Sequence, residues 1–278
     1  MTRSQRDRLL RALAMGVYVL VAVFPFYWMV LTTFKTNTDL YELGNNPLLF
    51  NEPPTLAHIE YLFNRTPFSQ WMLNSLVIGV LVVVITLLIA TPAGYALARL
   101  NLKGAPQLGI IIFATYLVPP TLLFIPLTRV VHTLGLANTI WSLVIVLPTI
   151  SIPFGTWLLM GFFKNVPREI EEAALVDGAS RPRAVWTIVL PISRAGLSAA
   201  GMFAFAISLQ AFLYPLVFTS SARVKPVTLG VVTDLIRGDL FYWGELMAGA
   251  LLAGLPVAIV FNFLLNDFIE GITGGSLK

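Results

Sequence analysis

The densest group of ionisable side chains lies in the stretch EIEEAALVDGASRPRAVWTIVLP, residues 169–191. Three of its first four residues are glutamates, whose negative charge suits the positive end of a helix dipole. Gly178 can adopt the left-handed conformation that commonly ends a helix, and Ser180 is a residue type that often caps the next one. We therefore predict a helix, a sharp glycine turn and a second helix that ends at Pro191.

Other reactive chemistry is sparse. The chain has no cysteine, which excludes disulfides, thiolate nucleophiles and cysteine metal sites. His58 and His132 fall in predicted loops without a partner at ligand spacing, so no metal site is expected. The only string near a phosphate-binding loop, GITGGSLK at the end of the chain, has the wrong spacing. We expect no cofactor in this chain and no ATP site, and an enzyme is disfavoured because no nucleophile–base pair is recognisable.

The composition indicates a membrane protein. Hydrophobic residues make up 57% of the 278 and charged residues 12%, whereas soluble domains are about half apolar and a quarter charged. A membrane-spanning helix needs roughly 20 mostly apolar residues. Six windows qualify: Ala12–Phe34, Trp71–Ala98, Leu108–Leu127, Ile140–Phe163, Ala195–Phe218 and Ala248–Phe268. The predicted fold is an all-α integral membrane protein with six transmembrane helices.

Lysine and arginine residues predict the orientation. The first window is too long for a signal peptide and lacks a cleavage site, so we interpret it as an uncleaved span. With a cytoplasmic N-terminus, twelve of the 18 basic residues lie on the inside. Both termini are then cytoplasmic. The predicted organisation is an N-terminal segment (1–11), a transmembrane domain (12–268) with a cytoplasmic loop at about 164–194, and a C-terminal tail (269–278).

Prolines interrupt the third window, where LVPPTLLFIP spans Leu117–Pro126. A proline inside a helix removes a backbone donor, and in a bilayer the freed carbonyls need protein or water to satisfy them. Broken helices of this kind indicate a translocation path, whereas a single proline is better explained as a kink used for packing. The near absence of charge inside the windows disfavours a proton-driven carrier, whereas a channel or a sodium-driven carrier stays possible.

On physical grounds alone, the predicted hairpin at residues 169–191 is either an interfacial tether between two spans or a docking site for another protein. The polar loop 35–70 on the other side of the membrane is likewise a cap, a partner site or an inert connector.

The hairpin resembles the EAA loop of ATP-binding-cassette (ABC) importer permeases. That pattern is Glu-Ala-Ala, three residues, Gly, nine residues, Ile, one residue, Leu-Pro. The matching residues here are Glu172, Ala173, Ala174, Gly178, Ile188, Leu190 and Pro191, and Asp177 and Ala179 fit the common Asp-Gly-Ala extension. FPFYWMVLTTFK, NSLVIGV, GYALARL and GLANTIWSLVIVLP are similar to carbohydrate-type permeases, in particular the smaller permease of maltose-type importers, and the resemblance covers nearly the whole chain.

The resemblance implies a type I ABC importer permease fold in a bacterial or archaeal plasma membrane. It also implies partners: a second homologous permease, two ATPase subunits that bind ATP and Mg, and an extracytoplasmic solute-binding protein. The nine EAA-loop residues would couple to the ATPase, with Glu172 pairing with a basic group there and Gly178 holding the bend. Gly274, Gly275 and Ser276 of the tail would reach the ATPase interface.

The solute is less well indicated. Carbohydrate-type permeases usually carry a Trp-Asn/Asp-Glu-Phe-like string in the fifth span, and this chain has SLQAFLYP there. The polar-aromatic cluster is reduced to Gln210 and Tyr214, and we expect these two residues, with Pro119 and Pro120, to line the path. A di- or oligosaccharide or polyol is the expected solute, and a glycerol-phosphate diester is the alternative.

Overall fold

The computed structural model describes residues 3–237 and 240–273, and most of them are helical. The chain divides into two compact units. The first consists of Met1–Ser69 with Gly230–Gly254, and the second of Gln70–Leu229 with Leu255–Lys278.

The first unit combines helices with a small two-stranded sheet. Its helices are α1 (Arg3–Phe34), α2 (Asn37–Tyr41) and α3 (Ala57–Arg65). Two short strands, β1 (Ile236–Arg237) and β2 (Leu240–Phe241), pair antiparallel. Two further helices, α14 (Val227–Leu235) and α15 (Trp243–Thr273), have residues in both units.

The second unit contains most of the remaining helices. They are α4 (Phe68–Arg99), α5 (Ala105–Tyr116), α6 (Pro120–Thr133), α7 (Ile140–Val146), α8 (Pro148–Asn165), α9 (Arg168–Val176), α10 (Arg181–Ala184), a π-helical turn (Val185–Val189), α11 (Leu190–Ile192), α12 (Arg194–Gln210) and α13 (Leu213–Phe218).

Apolar helices long enough to cross a bilayer match four of the six predicted windows. Among the described residues they are Leu10–Phe34, Phe68–Arg99, Ile140–Asn165 and Trp243–Leu265. Two bent pairs of helices raise the number to six if each pair is one span: α5 with α6, bent by 88°, and Arg181–Ile192 with α12, bent by 78°. The mostly helical architecture and the span count of four to six agree with the predicted fold class.

The third predicted window is two helices, as its prolines indicated. The chain bends between Tyr116 and Pro120, and Pro119 is extended, with φ −58° and ψ 131°. A residue that precedes a proline is disfavoured in the helical region, and Pro120 offers no N–H to continue the ladder. The prolines therefore break the span rather than merely kinking it.

The fifth predicted window is also two helices. α12 ends at Gln210, Ala211 is extended, and α13 begins at Leu213. Pro215 lacks the N–H that would bond to the Ala211 carbonyl in a continuous helix. The Thr228 hydroxyl donates to that carbonyl instead, at 2.9 Å, so the break is satisfied within the protein.

Small residues bring α4, α8 and α12 into close contact. A Cβ on Gly94 of α4 would lie 3.0 Å from the backbone nitrogen of Met160 and 3.1 Å from the carbonyl oxygen of Thr156. Gly155 of α8 faces alanine side chains of both α4 and α12. The buried hydroxyls of Thr86 and Ser151 share a hydrogen bond of 2.7 Å across the α4–α8 contact. These three helices form the packed core that positions the sites below.

A buried polar cluster organises the segment that follows α1. The Lys35 ammonium pairs with Asp39 at 3.2 Å and donates to the Asn46 carbonyl. The Asn51 side chain donates to Asp39 at 2.6 Å. Burial raises the pKa of Asp39, but the hydrogen bonds from Asn51, Lys35 and Glu52 outweigh it and hold that pKa below its usual value. The segment is thus ordered by internal contacts.

The assignment of both histidines to loops is wrong. His132 lies in the last turn of α6, and His58 lies in α3 with 2% of its surface exposed. Nδ1 of His58 lies 3.1 Å from Glu245, and its Nε2 lies 2.9 Å from the Lys35 carbonyl oxygen. Sequence spacing does not reveal this contact, because Glu245 is far away along the chain.

Two acceptors favour the doubly protonated ring of His58. Burial lowers its pKa, but the hydrogen bond and charge of Glu245, together with the Lys35 carbonyl, outweigh burial and leave the pKa above its ordinary value. His58 is therefore part of a buried ion pair that fastens α3 to the start of α15 within the first unit.

Candidate functional site

The predicted helix, glycine turn and second helix are present. α9 ends with the Schellman pattern, in which Ala179 N–H donates to the Ala174 carbonyl and Gly178 N–H to the Leu175 carbonyl. Gly178 has φ +88°, a left-handed conformation that favours glycine. No atom lies within 4 Å of a Cβ built there, so it is the backbone conformation, and not the available space, that requires glycine.

The second arm differs from the prediction in one respect. Pro191 does not stop the helix, which runs on to Ile192 and turns at Ser193. The N–H of Leu190 bonds to the Val185 carbonyl, one residue further back than in an α-helix. This π-helical turn widens the helix immediately before the proline, which relieves the clash that a proline ring otherwise makes with the preceding turn.

The predicted coupling residues fall into two groups by exposure. Exposed are Glu172, Ala173, Asp177, Gly178 and Pro191, and partly buried are Ala174, Ala179, Ile188 and Leu190. The hairpin therefore presents its acidic and glycine positions outward and packs its apolar positions inward, as the amphipathic pattern requires.

Two large apolar side chains on the hairpin, not singled out from the sequence, are also exposed. Val176 stands next to the glycine turn with 87% of its surface exposed, and Trp186 on the second arm is 71% exposed. Tryptophan, with an apolar ring and a polar N–H, is enriched at protein interfaces and at membrane interfaces. Sequence reasoning could have identified both residues as exposed, because each lies off the apolar stripe of its own helix.

The inner side of the hairpin carries an interaction that sequence reasoning missed. Glu171 is buried, although its neighbour Glu172 is exposed. One carboxylate oxygen of Glu171 accepts a hydrogen bond from the Tyr95 hydroxyl, and the other lies 3.4 Å from Nε of Arg99. Tyr95 and Arg99 belong to the last turns of α4, so Glu171 ties the hairpin to that helix.

The residues predicted for the translocation path are partly brought together. Pro120, Gln210 and Tyr214 line one cavity of about 390 Å³, beside Tyr116 and Ile207. The Tyr214 hydroxyl donates to the Pro120 carbonyl at 3.2 Å, so the two helix breaks meet there. Gln210 is exposed and Tyr214 is buried. Pro119 does not line the cavity.

An aromatic cluster adjoins the cavity at Tyr116. The Phe154 and Phe203 ring centroids lie 4.0 Å apart, Phe113 and Trp157 lie 4.8 Å apart, and Tyr116 lies 5.6 Å from Phe154. α5, α8 and α12 supply these rings, which helical spacing in any one segment does not reveal. Apolar walls with few polar groups are typical of small-molecule sites.

Two further predictions concern the C-terminal tail and a metal site. Gly274, Gly275 and Ser276 lie outside the described residues. Among the residues that the structure does describe, no group of three histidines, cysteines or carboxylates is placed to hold a metal ion.

Comparison with known proteins assigns the chain to a family. Residues 1–270 match the family described as binding-protein-dependent transport system inner membrane component. The chain belongs to this permease family. It is thus a membrane permease component of the ABC importer class, and its helices are those of an inner membrane protein.

Individual relatives cover almost the whole permease. It is 32% identical to the sulfoquinovosyl glycerol transport permease of Agrobacterium fabrum, over 97% of this chain and 93% of that protein. Identity is 30% to the diacetylchitobiose uptake permease of Streptomyces coelicolor, over 100% of both chains. It is 28% to the trehalose/maltose permease of Thermococcus litoralis, over 98% and 97%.

A solved structure supports the fold. The permease aligns with a chain of a bacterial ABC transporter that imports alginate, with a TM-score of 0.82 at 18% identity, over 96% of this chain and 98% of that chain. At this level of identity, the likeness establishes a shared architecture.

Proposed function

We propose that this permease imports a carbohydrate, a di- or oligosaccharide or a related polyol, with energy from ATP hydrolysed by separate subunits. The observation that carries the proposal is the exposed helix, glycine turn and helix at residues 168–192, on a chain that belongs to an ABC importer family. This hairpin is an exposed element on which a soluble ATPase can act.

The packed helices support a mechanism for this proposal. A pull on the hairpin reaches α4 through the buried contacts of Glu171. It then reaches α8, where Gly94 brings the two helices into close contact, and α12, whose Ala200 packs against Gly155 of α8, because closely packed interiors transmit strain. Discrete rearrangement of such a packed group, rather than gradual deformation, is how small movements at an effector site are amplified. The cavity at the two helix breaks would then open alternately to the two sides of the membrane.

Carbohydrate as the solute class rests on two supports. The named relatives are permeases for trehalose and maltose, diacetylchitobiose and sulfoquinovosyl glycerol. The cavity at Gln210 and Tyr214 adjoins aromatic rings, and a sugar ring offers one apolar face and several hydroxyls to such a surface. A glycerol-phosphate diester is the second candidate, since the reduced polar set in SLQAFLYP is not particular to sugars.

The proposed assembly holds this chain, a second homologous permease, two ATPases that bind ATP and Mg, and an extracytoplasmic solute-binding protein. Both termini and residues 164–194 face the cytoplasm in this arrangement. The exposed Glu172 pairs with a basic group of the ATPase, Val176 and Trp186 add apolar area beside it, and residues 274–276 reach the ATPase interface.

Purification of the tagged chain from native membranes in mild detergent tests the assembly. We expect an ABC ATPase and a different permease to co-elute, and mass spectrometry to identify both. Elution of the chain alone, with uptake in liposomes that needs no ATPase, would instead support a channel or a sodium-driven carrier.

The solute is tested by uptake into cells that lack the chain and cells complemented with it. Radiolabelled maltose, trehalose and diacetylchitobiose form one panel, and glycerophosphocholine represents the diesters. Complementation-dependent uptake of a sugar supports the proposal, and uptake of the diester alone contradicts the carbohydrate class.

A further inference from the structure

Two adjacent glutamates at the start of the hairpin have opposite environments. Successive residues of an α-helix point about 100° apart, so a helix lying on a surface can turn one outward and the next inward. Glu172 is exposed, and Glu171 has 8% of its surface exposed. Only the outward residue belongs to the EAA pattern, which leaves the inward residue without a role.

The inward carboxylate has a specific set of partners. It accepts from the Tyr95 hydroxyl and pairs with the Arg99 guanidinium at 3.4 Å. The Tyr95 ring in turn packs edge to face on Phe163, with ring centroids 6.1 Å apart, and Phe163 is fully buried at the end of α8. One carboxylate therefore connects α9 with α4 directly and with α8 through a ring.

The arginine of this cluster is incompletely paired. Both Nε and Nη2 of Arg99 are buried, and neither makes a hydrogen bond of good geometry to the part of the chain that the structure describes. Because breaking a buried ion pair leaves an uncompensated charge, Arg99 cannot release Glu171 without finding another partner. The ion pair therefore fastens α9 to α4.

We propose that Glu171, through Arg99 and Tyr95, is the positioning residue that transmits ATPase-driven movement of the hairpin to the membrane helices, whereas Glu172 serves docking. This division of labour rests on the proposed function, because it assumes that an ATPase engages the hairpin. It separates two steps, attachment and transmission, that the EAA pattern alone does not distinguish.

A thiol placed in the cavity can report whether movement of the hairpin is transmitted to the membrane helices, and this measurement does not require the solute to be known. The chain has no cysteine, so Gln210→Cys gives this subunit a single thiol at an exposed position of the cavity. The rate of its reaction with a membrane-impermeant maleimide is measured in the purified complex, with and without ATP and vanadate. We expect ATP and vanadate to change that rate about tenfold, within the range of typical coupling factors.

Glu171→Gln is the decisive variant, because glutamine keeps the size and still accepts from Tyr95 but loses the charge that pairs with Arg99. We expect ATPase co-elution and ATP hydrolysis to persist, and the ATP-dependent change in labelling rate to fall to less than about twofold. Glu172→Gln is expected to reduce ATPase co-elution itself. Lys103→Gln, which removes an exposed charge near the end of α4, serves as the matched control and should behave as wild type.

Three results would decide against the proposal or its basis. If Glu171→Gln keeps the full labelling response, or loses the ATPase as Glu172→Gln does, the transmission role is wrong while the proposed function stands. If the unsubstituted chain never co-elutes with an ATPase, the proposed function itself fails. Should Glu171→Gln not accumulate in membranes, Tyr95→Phe, which removes one hydroxyl, must show a reduced labelling response with the ATPase still bound.

Discussion

At the scale of single residues, the backbone conformation at the hairpin turn determines which residue types are tolerated at position 178. Gly178 has φ +88° and empty space around it. Among other residue types, asparagine populates this conformation most readily, and β-branched residues avoid it. The turn fixes the angle between the two arms of the hairpin, and with it the shape of the surface that the hairpin exposes.

The effect of substituting Gly178 should depend on whether the new residue tolerates the left-handed backbone conformation, and not on the size of its side chain. We expect Gly178→Val to abolish most ATP-dependent uptake and Gly178→Asn to retain it, because valine costs at least about 1–2 kcal/mol more in the left-handed region. Uptake of the identified solute and the amount of chain in the membrane are measured for both variants. Equal uptake by the two would show that the bend is not required.

His58 makes the stability of the first unit depend on pH. Its pKa in the folded protein is raised above the usual 6.5, so the stabilising contribution of the protonated ring is complete below pH 6.5. The contribution is lost as the pH rises through the folded pKa. Glu245 and the Lys35 carbonyl are the groups that face the ring.

We therefore expect the melting temperature of the detergent-purified chain to fall as the pH is raised from about 6 to 9, and His58→Gln to reduce that dependence. Scanning fluorimetry at fixed ionic strength measures both proteins. A steeper fall in His58→Gln than in the wild type would contradict the assignment of a raised pKa.

At the scale of elements, the contact between α4 and α8 depends on the absence of a side chain. A Cβ at Gly94 meets backbone atoms of α8 at 3.0–3.1 Å, and no atom lies within 4 Å of one at Gly161, an exposed position on α8 itself. Backbone atoms cannot move aside as a flexible side chain can, so the helices themselves must separate.

Gly94→Ala should destabilise the permease by about 1–3 kcal/mol through overpacking. Gly161→Ala should be neutral or stabilising by up to about 1 kcal/mol, since alanine is the better helix former. Thermal unfolding of the two variants in the same detergent compares them. If Gly161→Ala proved the more damaging, the proposed packing of α4 on α8 would be wrong.

The elements also show how far sequence reasoning reaches. Apolar length predicted the spans, and charge, alanine and glycine predicted the helix, turn and helix at residues 168–192. The same reasoning misplaced helix ends at prolines, because whether Pro191 stops a helix depends on the π-helical turn before it. Whether prolines break or only bend a span depends on which neighbours, such as Thr228, satisfy the freed carbonyl.

Long-range pairs were beyond prediction for a different reason. Glu171 meets Tyr95 across 76 residues, and His58 meets Glu245 from the far end of the chain. Nothing local marks either contact, since each residue type is common where it stands. By contrast, the exposed Val176 and Trp186 interrupt a visible amphipathic pattern and were available to sequence reasoning.

At the scale of the whole molecule, the chain is mostly apolar, and its charged residues are most concentrated in one hairpin. Both features are expected of an ABC importer permease with an exposed hairpin. In the proposed function the exposed hairpin is where an ATPase acts, and the two broken spans form a cavity where their ends meet. In the proposed function, movement of the solute through the membrane depends on ATP that is hydrolysed by another subunit.

ATP-dependent uptake in proteoliposomes tests that claim most directly. Vesicles carry either the purified complex or this chain alone, with the solute-binding protein and labelled sugar outside and ATP or a non-hydrolysable analogue inside. We predict uptake only with the complex and hydrolysable ATP, and its loss when Gly178→Val replaces the native residue. Uptake by the chain alone, or by the complex with the analogue, would contradict the account.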